Sequence, residues 1–285
     1  MKKLLAFLAV LACFYIIALS LQRVSWFPFG SKETQAASMH NIEVIDIHAS
    51  AADVSVIPVN REDVKAEYKG KGKLKVTKSG DTVKVSLVRS WLEGINFFDK
   101  KKLKIYIPKD FNQKMAVNIG SGKLHFSGPS KEHPMNLKEL NLDMSSGMVD
   151  LEKLHIESYH HEGSSGNANL DYVTAGNATI KMSSGNVDIN HYQGKLNARL
   201  SSGRFKAQMD QLNDQIDVKI SSGILNLDLP KDSDFTLNGN VSSGILSCKF
   251  PLENGFDSRH RISGSYGTGK YKINVTASSG KVSIY

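Results

Sequence analysis

The sequence predicts an all-β protein: a single-chain β-solenoid, or β-helix, with rungs of about 19 residues, preceded by one N-terminal transmembrane helix. Three observations carry this reading. A Ser-Ser-Gly tripeptide recurs with its glycines at 147, 166, 185, 203, 223, 244 and 280, and the first five spacings are 19, 19, 18, 20 and 21 residues. Such a period marks stacked repeats. Apolar residues alternate on both sides of each copy, as on a strand with one buried face. No window from residue 41 onward carries the i, i+3, i+4, i+7 stripe of an amphipathic helix.

The chain opens on Lys2 and Lys3, followed by an uncharged apolar run from Leu4 to Leu21. As a helix with about 1.5 Å rise per residue, that run reaches about 27 Å, enough to cross a hydrocarbon core. The lysines hold the N-terminus inside, so the rest of the chain is expected outside the cytoplasmic membrane. Trp26, Phe27 and Phe29 fall where an interfacial aromatic belt sits. Residues 1–21 are thus expected as a single-pass anchor. Two alternatives stay open. Ala18-Leu19-Ser20 passes as a signal-peptidase site, and Val10-Leu11-Ala12-Cys13 loosely matches a lipobox. All three put the bulk of the protein in the same compartment. Residues 22–40, polar and small without a period, are expected as a juxtamembrane linker.

Residues 41–285 form the expected solenoid domain, with a basic capping part at 41–110 and the repeats proper at 111–285. In "ASAADVSV" Ala52 takes the glycine place of a degenerate copy, and a Gly-Ser-Gly variant ends at Gly122. Between them "KVTKSGDTVKV" reads as a hairpin with a Ser-Gly-Asp turn. "WLEGINFF" follows, with Trp91, Phe97 and Phe98 bracketed by Arg89 and by Lys100, Lys101 and Lys102. Aromatics between cations suit a membrane or partner contact. The competing reading, which the position favours, is a cap over the open end of the stack.

In the repeats, the residues two and four places after the glycine are apolar in every copy, as in Val149/Leu151, Val187/Ile189 and Leu225/Leu227. Pairs such as Met144/Leu142 and Ile220/Val218 do the same before it, while Gly163/His161 and Val241/Gly239 are weaker. Strand, turn and strand then stack as rungs about 4.8 Å apart. Glycine supplies the positive φ of the corner, and the serine hydroxyls are expected to satisfy turn backbone groups.

The 285 residues are 40% hydrophobic and 22% charged, an ordinary globular balance. The net charge of +8 is concentrated: residues 61–110 hold fourteen Lys/Arg against seven Asp/Glu. Such a patch attracts anionic lipid or wall polymer, or simply discourages edge pairing. Nucleic acid is not expected as a partner of a translocated domain. Cys13 and Cys248 are the two cysteines, which excludes a disulfide scaffold.

The repeated Ser-Ser-Gly strands, the segment "LKIYIPKDF" and the closing "GTGKYKINVTASSGKVSIY" resemble the bacterial putative-adhesin domain of unknown function. The likeness spans roughly residues 41–285. It implies an outward-facing, membrane-anchored, β-rich protein without an assigned enzymatic activity.

Two outward ladders are candidate sites. Asp150, Asp171 and Asp188, with Glu152, Asn169 and Asn190, form a polar surface site that could hold calcium or act as an acidic cleft. The plainer reading is a solvated face. Lys181, Arg199 and Lys219, and separately Lys100, Lys101 and Lys102, could bind a polyanion. No C-x-x-C, H-E-x-x-H or G-x-S-x-G occurs. "GSYGTGKY" fails as a phosphate loop because Tyr271 replaces the required Ser/Thr and a strand follows. His160 and His161 point to opposite faces of a strand, and Cys248 takes an inward position. No catalytic residue, metal site or cofactor is therefore expected. The function expected is a non-enzymatic binding or scaffold protein of the cell envelope, partnered by the membrane, anionic wall polymer, lipid headgroups or another membrane protein. The alternative is a solenoid polysaccharide lyase or hydrolase.

Overall fold

The computed structural model describes residues 32–70, 72–88 and 101–285. The expected anchor at 1–21 lies outside them, as do Trp91, Phe97, Phe98 and Lys100. All elements among the described residues are strands. In chain order they are β1 (Lys32–Ser38), β2 (Val44–Val59), β3 (Asp63–Lys69), β4 (Lys73–Ser79), β5 (Thr82–Val88) and β6 (Lys102–Pro108). There follow β7 (Lys114–Ser127), β8 (Met135–Met209), β9 (Ile216–Asp228), β10 (Phe235–Cys248), β11 (Glu253–Asp257), β12 (Arg261–Tyr266) and β13 (Tyr271–Ile284). β8 is one unbroken ribbon that winds through the four corners at Gly147, Gly166, Gly185 and Gly203.

Parallel pairing in strict register builds the stack. Gly122 pairs with Gly147 and Gly203 with Gly223, so corner lies on corner. The alternation read from the sequence explains why. A one-residue slip would turn Val187, Ile189 and their counterparts out to solvent, whereas in register all but the half-buried Cys248 are buried. Each such burial contributes about 1.5–3 kcal/mol. Tyr159, Tyr192, Phe126 and Phe205 fill the wider parts of the interior.

Two expectations change here. The Ser-Ser-Gly corner does not interrupt the ladder between two separate strands; it bends a strand whose pairing continues on both sides, as Ser121 with Ser146 and Lys123 with Met148. A second bend follows six residues later, at Lys153, Tyr172 and His191, all left-handed with φ of 54°, 53° and 52°. Residues 32–38, expected within a linker, form β1. It pairs antiparallel with β3, and its side chains seal the edge of β4: Glu33 accepts from the Leu74 amide at 2.8 Å, and Gln35 bonds both Leu74 O and Val76 N at 2.7 Å. Its period was hidden because its two faces meet water and a backbone edge, neither of which asks for apolar residues.

The rungs also do not follow sequence order. β13 lies between β9 and β10, with Gly280 on Gly223 and Gly244 on Gly280. The reason is edge satisfaction. β10 gives its far edge to the antiparallel pair β12 and β11, which leaves the facing edges of β9 and β10 both needing a parallel partner with the same corner. The phosphate-loop lookalike is the hinge for this return. Thr268 Oγ1 and the amides of Gly269 and Lys270 bond the Asp234 carboxylate at 2.6, 2.6 and 3.0 Å. Those bonds, Thr268's first, hold the Asp234 carboxyl below the usual range. At the other end β5 and β6 pair with the two halves of β2, and β4 closes the expected hairpin on β5 through Gly80 and Asp81.

Candidate functional site

Four residues before each corner glycine the side chain faces outward, and stacking turns these positions into a column. Reading along the stack, it holds Asn118, Asp143, Glu162, Lys181, Arg199, Lys219 and Thr276. The first serines of the corners, Ser145, Ser164, Ser183, Ser201, Ser221 and Ser278, run beside it. Between column and serines lies a groove of about 790 Å³.

The predicted cations Lys181, Arg199 and Lys219 are therefore brought together, but not as a uniform basic ladder. Lys181 Nζ donates to Glu162 Oε1 at 2.8 Å, and His160 Nε2 stands 3.1 Å from the same oxygen. The Lys181 bond first, then that from His160, holds the Glu162 carboxyl below its usual range. Lys219 is 3.9 Å from Asp217. Arg199 and Asp143 are exposed and have no partner among the described residues. Asp143 and Glu162 occupy the same offset as the cations, so the register alone identifies them; attention to one sign of charge missed them.

The serines depart from expectation. No hydroxyl of the seven Ser-Ser-Gly copies makes a hydrogen bond within the described protein. All are exposed. The second serine and the glycine of each corner pair from rung to rung through the backbone, and the hydroxyls stay free as donors and acceptors. The glycines are required twice over. At Gly185 φ is +134°, and a Cβ there would overlap the carbonyl oxygen of Gly166 on the rung below.

The acidic trio does not converge. Asp150 and Asp188 share a column three residues after the corner, and Asp171 lies in the column two further on. Asn169 Nδ2 donates to Asp150 Oδ1 at 2.6 Å, and Lys206 Nζ is 3.9 Å from Asp188 Oδ1. Asp150 thus has an amide and Asp188 a cation on the next rung, which relieves like-charge stacking in that column. Among the described residues no group of three or more His, Cys, Asp and Glu is placed to hold a metal ion. Lys101 and Lys102 sit at the start of β6, across β2 from the β7 end of the groove. Cys248 is half-buried beside Phe250, and burial pushes its thiol up.

His160 and His161 do diverge. His161 lies in the core beneath the groove, with Nδ1 unpartnered; burial, followed by the charge of His160, pushes its imidazole down to about 4. Nearby, the buried Tyr159 hydroxyl is also unpartnered, and burial drives it strongly upward.

A continuous sheet wound into in-register rungs, with a polar groove along one corner, defines a repeat scaffold with a candidate surface site. Residues 42–285 match the family described as Toastrack DUF4097, and the chain belongs to that family. No curated protein matches it. Among solved structures it is similar to a protein from Bacteroides fragilis described as a "putative adhesin", at 15% identity and a TM-score of 0.52, covering 89% of this chain and 97% of that one. A "putative adhesin" from Parabacteroides distasonis matches at 9% identity and TM-score 0.46, over 90% and 98% of the two chains. A "putative lipid binding protein" from the same organism matches at 15% and 0.42, over 88% and 97%.

Proposed function

We propose that the chain is a membrane-anchored, extracytoplasmic, non-enzymatic binding or scaffold protein of the bacterial cell envelope, which holds phosphate-bearing envelope material on the basic part of its groove. The observation that carries the reading is Arg199: an exposed guanidinium with no partner among the described residues, one rung from Lys219 and facing the same groove. A planar guanidinium suits bidentate phosphate contact, and a lysine about 4.8 Å away adds a second charge. The apolar run Leu4–Leu21 behind Lys2 and Lys3 supports the single-pass anchor. The individual resemblance is to LiaG, encoded with the Lia cell-envelope stress-response system of Gram-positive bacteria, and it supports a link to envelope stress. The adhesin description of the Bacteroides fragilis protein is in keeping with a binding role. Glycan cleavage would need converging carboxylates, and Asp150, Asp171 and Asp188 are split between two columns.

The test is co-sedimentation of the full chain, in detergent, with purified cell wall carrying or stripped of its phosphate polymer. Screening shrinks from about 10 Å range at 0.1 M salt to about 3 Å at 1 M. Capture should therefore fall with salt, and Arg199→Gln should weaken it by about fivefold. Equal capture by stripped wall at every salt concentration overturns the reading.

A further inference from the structure

We infer that the groove takes its ligand lengthwise, and that the ligand is a linear polyol-phosphate polymer carrying amino groups. A phosphate lies at Arg199 and Lys219, and an ammonium lies at Asp143. This rests on the envelope-binding reading above and names the ligand class for the same site.

Length is the first argument. The column from Asn118 to Thr276 spans seven rungs, or six steps of about 4.8 Å, roughly 29 Å in all. A single phosphorylated headgroup covers only about two rungs, and most of the groove would stay empty. An extended polymer uses all of it.

Charge is the second. Asp143 and Arg199 stand three rungs apart, about 14 Å, and both are without partners among the described residues. Between them Glu162 and Lys181 are closed on each other at 2.8 Å. The free charges thus have opposite signs at two separated points along the groove. A plain polyanion lying along the groove is attracted at Arg199 and repelled at Asp143, whereas a polymer bearing both phosphate and ammonium is attracted at each.

The free hydroxyls are the third. Ser145, Ser164, Ser183 and Ser201 offer a donor and acceptor at every step along the wall between the two charges. Polyol hydroxyls accept or donate, and phosphate oxygens accept, at any of them, so the ligand need not match the rung spacing closely. Affinity then grows by adding contacts along the chain rather than by one tight pocket.

The experiment is calorimetric titration of the full chain in detergent with synthetic glycerol-phosphate oligomers of two and eight units, each bare or aminoacylated. Wild type is compared with Arg199→Gln and Asp143→Asn, both exposed positions whose replacement leaves the fold intact. The eight-unit aminoacylated oligomer should bind more than about tenfold tighter than the two-unit one. Arg199→Gln should weaken both forms by about fivefold, and Asp143→Asn should erase a preference of about fivefold for the aminoacylated form. Equal affinity per unit at both lengths overturns the inference, and so does a preference that survives in Asp143→Asn. Vesicles of anionic lipid that compete as well as the eight-unit oligomer also overturn it and assign the groove to a lipid surface. Should the oligomers fail to bind while wall capture stays salt-sensitive and phosphate-dependent, this inference falls and the envelope reading stands; loss of wall capture as well removes both.

Discussion

His161 is a titratable ring sealed in the interior one layer beneath the groove, next to Gly163. Its imidazole titrates near 4 in the folded chain, against 6.5 for a free histidine. Between those values the unfolded chain binds a proton that the folded one refuses. Stability is therefore undiminished above pH 6.5 and falls as the pH drops, by about 1.4 kcal/mol per pH unit. Urea unfolding at pH 7 and pH 4.5, for wild type and His161→Leu, should give a difference between the two pH-induced losses of about 2–3 kcal/mol. Equal losses in both proteins would show that His161 is hydrated and titrates normally. Its neighbour His160 differs by one residue and by everything else, because strand alternation sends it out to Glu162. That division was legible from the sequence. The unpartnered Nδ1 was not, since it depends on which side chains the rungs above and below supply.

At the level of the element, the corner is the unit that repeats, and its glycine is the least replaceable residue in it. Gly185→Ala would impose a side chain on φ +134° and drive Cβ into the Gly166 carbonyl. We expect a loss of about 2–4 kcal/mol on thermal or denaturant unfolding. Gly163→Ala is the control: its Cβ would meet His161 and Met182 side-chain atoms at 3.5 and 3.6 Å, ordinary contact distances, and its φ is not left-handed. There the gain is about 0.4–1 kcal/mol from a stiffer unfolded chain. Similar costs at both positions would mean that the rungs slide apart locally rather than stack as described. Period-two alternation around each copy made these elements readable, because burial on one face writes itself into residue type. Neither the continuity of pairing through the corner nor the freedom of the serine hydroxyls could be read, since both depend on backbone bonds between rungs. β1 was unreadable for a related reason: Glu33 and Gln35 answer to the edge of β4, and a polar strand that caps another strand looks like a linker.

For the whole molecule, the period told how many rungs to expect but not their order. Seven similar copies are interchangeable by pattern, and only the geometry of the Asp234 hinge and the β11–β12 pair sends β13 back inside. In a stack each rung is stabilised by its two neighbours, so losing an internal rung is felt locally. Deleting residues 271–285 should strip amide-exchange protection from β9, β10 and β12 while β2 and β7 keep theirs. Protection retained across β10 would mean that β9 and β10 can pair directly, contrary to the order described. The same arrangement has a consequence for biosynthesis. A ribosome delivers β10, β11 and β12 before the segment that joins them to the rest, so that part of the molecule must wait, unfastened, until residues 271–285 have been made. A nascent chain that stops short of Tyr271 carries the groove from Asn118 to Lys219 yet cannot close behind it, and β13 acts as the clasp.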